Sequence, residues 1–295
     1  MNFYNKNIIL FALLLKAGMG FAQYDLVDKA QKAVQAGKID SAYIYISKTV
    51  DHPETSKDAF VWYVKGFILK EISKQNDAGT GMGQYRTDAI KCLTKALELD
   101  VTQEHTINIK KVIAALASSF QKESVRLMDT SNFMLAIKNY DQFKSAKKIA
   151  DPNFNFKEFD LQFYNGLASV YRDIFEANQI VNSKCFDLAI ENYGKAIELD
   201  ANDYSPYYNI GSLYYNKGVT VINQTDYSTD LAEIEKVQDI AANYFKKGLP
   251  YFEKAYMLNS KKIKVIEALE GIYYTLNDQE KSEKFKAEKK KIEGN

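Results

Sequence analysis

The stretch that decides the fold reads AIENYGKAIELD at residues 189–200, and AIKCLTKALELD stands one hundred residues earlier, at residues 89–100. Seven of the twelve aligned positions are identical, and two more are apolar in both stretches. Self-similarity within one chain is typical of repeat architectures, in which neighbouring units stack and bury a shared core. The two stretches therefore predict that the chain is built from related units.

Apolar residues recur at i, i+3, i+4 and i+7 along nearly the whole chain, which is the period of an amphipathic helix. The chain has only 4 Pro and 14 Gly, and no run alternates polar and apolar residues between turn signals. We therefore expect an all-α fold.

Two side-chain patterns alternate along these helices. The first, seen in YYNIGSLY at 207–214, has large residues at its ends and an apolar residue followed by a small one in its middle. The second, seen in AIENYGKA at 189–196, has small residues at both ends and a large one between them. A small residue where two helices cross lets the helices approach closely, while the large residue beside it fills the groove. The alternation predicts antiparallel helix pairs.

These patterns resemble the tetratricopeptide repeat (TPR) family, whose motif sets a helix with W-x2-L-G-x2-Y against a helix with A-x3-F-x2-A. The resemblance implies an α-solenoid of stacked antiparallel helix pairs, with about six units. A helical bundle without repeats is the alternative fold. The marker residues of the six candidate units are Leu26, Ala30, Ala33, Ala42, Ile46 and Thr49; Trp62, Gly66, Leu69, Ala89, Leu93 and Ala96; Phe120, Ser124, Leu127, Ala136, Tyr140 and Phe143; Tyr164, Leu167, Ala168, Tyr171, Ala189, Tyr193 and Ala196; Tyr207, Ile210, Gly211, Tyr214, Gly248, Phe252 and Ala255; and, in a degenerate sixth unit, Ile266, Leu269 and Tyr273.

The repeats are longer than those of the family. The first small residues of successive second helices are 47, 47, 53 and 59 residues apart, whereas the family repeats every 34 residues or so. The extra residues include QNDAGTGMGQ at 75–84 and NQTDYSTD at 223–230, which have turn chemistry, and a strongly helix-forming stretch at 230–245. We therefore expect longer helices and longer loops at these inserts.

The first 22 residues have the features of a signal peptide. MNFYNKN has one Lys and no acidic residue, IILFALLL follows as an apolar run, and small residues at Gly20 and Ala22 suit cleavage after Ala22. A membrane anchor is the alternative, but Lys16 interrupts an apolar run that would need about 20 residues to cross a bilayer. The sequence therefore predicts a signal peptide at 1–22, a mature TPR-like domain at 23–295 with no integral span, and export to the periplasm or outer envelope.

The composition gives no reason to expect a nucleic-acid partner. Removal of Lys6 and Lys16 leaves 37 basic residues against 38 acidic ones, a net charge of about −1, whereas nucleic-acid binding needs a basic face. The chain has two Cys, which we interpret as small apolar residues on helices.

No pattern in the sequence indicates catalysis, a cofactor or a metal. The two histidines, His52 and His105, lack a paired ligand at i+3 or i+4, and we expect both on the surface. The stretch GTGMG at 79–83 resembles a phosphate loop, but no Lys-Ser/Thr follows it, which favours an inter-helix connection. We therefore expect a protein that is not an enzyme.

A second helical face predicts where a partner binds. Residues one position after the first-helix pattern are rotated by about 100° around the helix, and in the TPR family this face lines the concave groove that receives peptides. The candidate groove residues of this chain are Tyr63, Phe67, Lys70, Arg172, Tyr208 and Tyr215. The alternative is that these side chains pack against the inserts, especially residues 223–247.

The leading functional interpretation is a non-enzymatic interaction or scaffolding protein of the periplasm or outer envelope, which binds a protein or peptide on its repeat surface. Peripheral association with the envelope is consistent with this location. The alternative is a carbohydrate-handling accessory protein of the outer membrane, a class in which some members contain TPR-like helices. The presence of a single Trp argues against the alternative.

Overall fold

The computed structural model describes residues 22–77, 81, 83–225 and 231–294. These residues form twelve α-helices and no strand, as the periodicity predicts. The proposed signal peptide lies outside the described residues except for Ala22, as do most of GTGMG and residues 226–230. The helices are α1 Ala22–Gln35, α2 Ile39–Ser47, α3 Ala59–Asn76, α4 Gln84–Leu99, α5 Thr106–Arg126, α6 Phe133–Ala150, α7 Lys157–Ala177, α8 Ser183–Leu199, α9 Tyr204–Asn223, α10 Leu231–Leu258, α11 Ile263–Thr275 and α12 Gln279–Glu293.

The chain divides into two compact units, residues 1–116 and 117–295, and the boundary falls inside α5. In the first unit, α1 pairs with α2, and α3 pairs with α4. In the second unit, α7 pairs with α8, α9 with α10, and α11 with α12. Each unit is therefore an array of helix pairs of the α-solenoid type.

Glycine at a helix crossing allows the close contact that the repeat pattern predicts. A Cβ atom added to Gly66 would lie 2.6 Å from Cγ of Leu93 and 3.2 Å from the carbonyl oxygen of Ala89. A Cβ atom added to Gly211 would lie 2.8 Å from Cδ1 of Phe252. The distances to Leu93 and Phe252 are shorter than atoms in contact tolerate, so α3 and α4, and likewise α9 and α10, approach as closely as they do because these positions carry no side chain.

Serine replaces the small apolar residue at two other crossings. The hydroxyl of Ser124 in α5 donates a hydrogen bond to the carbonyl oxygen of Ala136 in α6, at 2.8 Å. The hydroxyl of Ser282 in α12 donates to the carbonyl oxygen of Glu270 in α11, at 3.0 Å. Both pairs are twelve residues apart in sequence and both serines are buried. The degenerate sixth unit therefore keeps the crossing geometry of the others, although its sequence matches the repeat poorly.

Insertion in the fifth unit lengthens its helices, as the sequence predicts. α10 has 28 residues, and its first turns are formed by the helix-forming stretch of the insert. The added turns pack against the end of α9, because a Cβ atom at Gly218 would lie 2.5 Å from Cε1 of Phe245. The insert therefore extends the α9–α10 pair lengthwise.

Candidate functional site

The second unit contains a groove between three first helices, α7, α9 and α11. We call it the first-helix groove. Its volume is about 410 Å³, within the range of ligand-binding clefts. It brings together three predicted residues, Arg172, Tyr208 and Tyr215, and the full set of lining residues is Arg172, Glu176, Tyr208, Asn209, Ser212, Tyr215, Asn216, Phe252, Lys264, Glu267, Ala268 and Gly271.

The periodicity of α9 explains why its residues line this groove. Tyr208, Ser212 and Tyr215 are spaced i, i+4 and i+7 and so share one helix face. Gly211, one residue before Ser212, faces α10. The adjacent face of α9, which carries Tyr208, Ser212 and Tyr215, therefore faces the groove. The ring of Tyr208 lies 5.8 Å from that of Phe252, so the tyrosine is anchored by packing while part of it lines the cleft.

The inserted residues do not cover the first-helix groove in the part of the chain that the structure describes. None of the described residues of 223–247 lines it. Phe245 contacts Tyr215 ring to ring at 5.2 Å, and this contact supports the tyrosine from the side of α10. The groove therefore combines half-buried aromatic rings with an open side.

The carboxylates of the groove already have partners. Glu176 accepts a hydrogen bond from Nδ2 of Asn216 at 2.9 Å. Glu267 forms an ion pair with Lys289 at 2.8 Å. Negative charge in the groove is therefore partly balanced from within the protein.

The two cations of the groove differ in whether a carboxylate pairs with them. Arg172 donates to Asp173 through Nε and one terminal nitrogen, at 3.0 and 2.7 Å. Lys264 is exposed and forms no ion pair with any described residue. The groove thus offers an uncommitted ammonium group beside aromatic and amide side chains, which suits an extended segment with an acceptor or a carboxylate.

Tyr63 is buried, contrary to the expectation that it lines a binding surface. Only 4% of its area is exposed, and its ring lies 6.3 Å from Phe60 and 6.4 Å from His105. Burial also raises the pKa of its phenol. His105, which was expected on the surface, is half-buried, and its ring packs against that of Phe60 at 5.1 Å. Tyr63 is therefore a core residue of the first unit.

Phe67 and Lys70 lie together on α3 in the first unit. The ammonium of Lys70 is 4.8 Å from the centre of the Phe67 ring and 2.7 Å from the carboxylate of Glu71. Burial tends to raise the pKa of Glu71, but hydrogen bonds from Lys70 and Lys74 outweigh this effect and leave the pKa below its usual value. Lys70 is 18% exposed and already neutralised by Glu71, so it offers a partner little charge.

Sequence reasoning missed the contribution of α11. Glu267 and Gly271 line the first-helix groove; Glu267 stands one residue after Ile266 of the sixth repeat pattern, and Gly271 follows it at i+4 on the same helix face. The same rule that identified Tyr208 would have found them. The poor match of the sixth unit to the repeat hid this signal.

The described residues contain no arrangement typical of a metal or redox centre. No group of three or more His, Cys, Asp or Glu is placed to hold a metal ion among them. Burial raises the pKa of both thiols, Cys92 and Cys185, which keeps them protonated and poorly nucleophilic at neutral pH. None of the described helices combines the length and the apolar character that a membrane span requires.

Comparison with solved structures finds repeat proteins of low sequence identity. A TPR repeats protein from Bacteroides fragilis is 15% identical, covers 85% of this chain and 98% of its own, and has a TM-score of 0.46. The MamA protein is 14% identical, with 94% of each chain covered and a TM-score of 0.32. The TPR2AB domain of yeast Sti1, solved in complex with pHSP90, is 12% identical, covers 92% of this chain and 90% of its own, and has a TM-score of 0.30. No curated protein matches the sequence.

A family model described as TPR repeat matches residues 185–218. These residues comprise most of α8, the connection after it and most of α9, so the match begins on a second helix and continues on the next first helix. The stretch AIENYGKAIELD at 189–200 lies within this match. Residues 185–218 therefore match a TPR repeat, and the helix pairs of both units cross at small residues in the way that such repeats do.

Proposed function

We propose that the protein is a scaffold of the periplasm or outer cell envelope that binds an extended segment of a partner protein in the first-helix groove. TPR domains are protein-interaction modules and are generally not catalytic, and residues 185–218 of this chain match a TPR repeat. The observation that carries the proposal is the groove itself, where aromatic rings, amides and an exposed lysine from three helices line one cleft of about 410 Å³.

The side chains of the groove suit a peptide. Tyr208 and Tyr215 provide large contact areas with few rotatable bonds, and tyrosine is enriched among the residues that dominate binding energy. Asn209 and Asn216 provide amide groups that can pair with a peptide backbone. Lys264 adds a preference for a segment that carries a carboxylate, since the carboxylates of the groove are already paired.

Charge reversal in the groove tests this function. We expect Lys264→Glu to weaken partner binding about tenfold, equivalent to about 1.4 kcal/mol, and to reduce the dependence of affinity on salt. The partner is first captured by a photo-crosslinking side chain at position 209, and its affinity is then measured with purified proteins. Lys246→Glu is the matched control, because Lys246 is exposed on α10 and lies outside the groove.

Equal affinities for the two variants would exclude the groove as the binding site. A second control separates binding from folding. Tyr274 is 72% exposed and lies on α11 but does not line the groove, so Tyr274→Ala has to leave both affinity and the thermal midpoint unchanged.

Export is the second part of the proposal, and residues 1–22 carry it. The apolar run IILFALLL, followed by small residues at Gly20 and Ala22, has the composition of a cleavable signal peptide. We expect intact protein from envelope fractions to begin at Gln23 when its mass is measured. A main species that retains Met1 would contradict export by cleavage.

A further inference from the structure

A second cleft lies in the second unit between α10, α12 and the connection that follows α10. We call it the lysine cleft. Its volume is about 560 Å³, and it shares no residue with the first-helix groove. The residues that line it are Tyr256, Ser260, Lys261, Lys284, Ala287, Glu288, Lys291 and Ile292.

Three ammonium groups border the lysine cleft. Lys284 and Lys291 are spaced i and i+7 on α12, so they share a face and stand about 10 Å apart along the helix axis. Lys261 approaches from the connection between α10 and α11. All three lysines are exposed, and none forms an ion pair with a described residue.

Of the four other lysines of α12, Lys290 does not line the cleft, and the remaining three form ion pairs. Lys281 pairs with Asp278 at 3.1 Å, Lys286 with Glu283 at 2.9 Å, and Lys289 with Glu267 at 2.8 Å. The helix therefore neutralises these three lysines with its own or neighbouring carboxylates. The two that border the cleft remain uncompensated.

The single carboxylate of the cleft is already engaged. The hydroxyl of Tyr256 donates to both carboxylate oxygens of Glu288, at 2.7 and 2.9 Å. The proximity of Glu288 also raises the pKa of the Tyr256 phenol, after the larger effect of burial, so the tyrosine stays protonated as a donor. Three positive charges consequently face one negative charge that is held on the wall of the cleft.

We propose that the lysine cleft binds a phosphate-bearing anion. A phosphate monoester carries a charge of about −1.5 to −2 at neutral pH and three strong acceptor oxygens, and lysine binds phosphate as a point charge. A carboxylate has one charge, so an acidic peptide would have to place several side chains in the same cleft. The cleft is larger than a phosphate ion, and Ile292, Ala287 and the ring of Tyr256 provide an apolar wall for the rest of the ligand.

The phosphate can belong to a soluble phosphate ester or to a lipid headgroup, and binding assays with the mature chain separate these sources. The probes are inorganic pyrophosphate, followed by calorimetry, and vesicles of phosphatidylcholine with or without phosphatidic acid, a phosphate monoester, followed by co-sedimentation. Binding of pyrophosphate without binding of vesicles identifies a soluble ligand. Binding only of the vesicles that contain phosphatidic acid identifies a headgroup.

Substitution of the two uncompensated lysines tests the site itself. We expect Lys284→Gln with Lys291→Gln to weaken binding of the effective probe at least about tenfold, because two charge-assisted contacts are lost. The matched control is Lys281→Gln with Lys286→Gln, which removes the same charge from α12 outside the cleft and has to leave the affinity nearly unchanged. Glu288→Gln keeps an acceptor for Tyr256 but removes the negative charge, so it has to strengthen binding.

Two outcomes would overturn the proposal. The first is that neither phosphate probe binds, whether or not polyglutamate binds in a manner that depends on Lys284 and Lys291. The second is that the two double variants weaken binding equally. Circular dichroism of each variant confirms that α12 remains folded, which we expect because the side chains of all four substituted lysines are largely exposed. Failure of this test leaves the first-helix groove unaffected, since the two sites share no residue.

Discussion

Gly211 shows how one residue determines the contact between two helices. A Cβ atom added to Gly248 would lie 3.0 Å from the carbonyl oxygen of Gly211, and the ring of Phe252 occupies the space that a Cβ atom of Gly211 would need. Gly211 and Gly248 are both buried. The pair of glycines therefore lets the backbones of α9 and α10 meet where a side chain would hold them apart.

Gly211→Ala and Gly194→Ala should change stability in opposite directions. Both glycines are inside helices, where alanine is favoured over glycine by about 1 kcal/mol. A Cβ atom at Gly194 meets nothing within 4 Å, so this variant has to gain stability. At Gly211 the Cβ atom meets Phe252 at 2.8 Å, and overpacking should cost about 1 to 3 kcal/mol. Thermal midpoints measure both effects, and a stabilised Gly211→Ala would contradict the crossing.

Asp77 connects two elements, because it ends α3 and also caps α4. Its carboxylate accepts hydrogen bonds from the backbone N–H groups of Tyr85 and Arg86, at 3.2 and 2.9 Å. It also lies 3.5 Å from Nε of Arg86, and both side chains are nearly buried. A carboxylate at a helix N-terminus satisfies unpaired N–H groups and interacts favourably with the helix dipole. Asp77 thereby joins the end of α3 to the start of α4 across the lengthened connection.

We expect Asp77→Ala to destabilise the α3–α4 pair by about 3 to 5 kcal/mol, since a buried guanidinium would lose a nearby carboxylate and two backbone N–H groups would lose their acceptor. Asp77→Asn should cost less, because its amide oxygen still accepts from the backbone. Asp88→Ala is the control, as Asp88 pairs with Lys91 on the exposed side of α4, and its loss should cost less than about 1 kcal/mol. Urea unfolding and hydrogen exchange of α4 measure the effect; a result for Asp77→Ala no larger than for Asp88→Ala would exclude the capping role.

Across the whole molecule, tyrosine hydroxyls donate to carboxylates of neighbouring elements. Tyr140 donates to Asp160 at 2.8 Å, and Tyr273 donates to Glu253 at 2.5 Å. Tyr24 donates to Asp58 at 3.0 Å. In each case burial, and then the hydrogen bond, raises the pKa of the phenol, and that of Tyr24 reaches about 12. These bonds link α6 to α7, α10 to α11, and α1 to the start of α3.

The raised phenol pKa values predict the direction of alkaline unfolding. A group whose pKa is higher in the folded state contributes stability that is complete below the unfolded pKa of about 10. This stability is lost as pH rises through the folded pKa, because deprotonation places two negative charges together. The free energy of unfolding should therefore fall between about pH 10 and 12. Urea unfolding measured as a function of pH tests this.

Tyr140→Phe combined with Tyr273→Phe supplies the control for alkaline unfolding. The double variant should be less stable at neutral pH, since the hydrogen bonds are absent. It should also lose less stability between about pH 10 and 12, because two of the titrating phenols are gone. An unchanged slope in this variant would show that other groups cause the alkaline loss.

The sequence by itself determined the helical class, the pairing of helices and the small residues at their crossings. These features depend on local periodicity, since positions i, i+4 and i+7 of one helix share a face whatever the rest of the chain does. The same geometry predicted that Arg172, Tyr208 and Tyr215 point to one side of their helices, and these three residues line the first-helix groove. Their role in binding stays a prediction.

Only the tertiary structure decided which of these faces is open. Tyr63 has the same position in its repeat as Tyr208, yet His105 from a segment forty residues later packs against it and buries it. Charge pairing is likewise decided in three dimensions. Lys70 and Glu267 have ion-pair partners, whereas Lys264 and the three lysines of the lysine cleft have none among the described residues. Periodicity specifies the direction of a side chain from its helix, whereas burial and charge pairing depend on what the rest of the chain brings to that side.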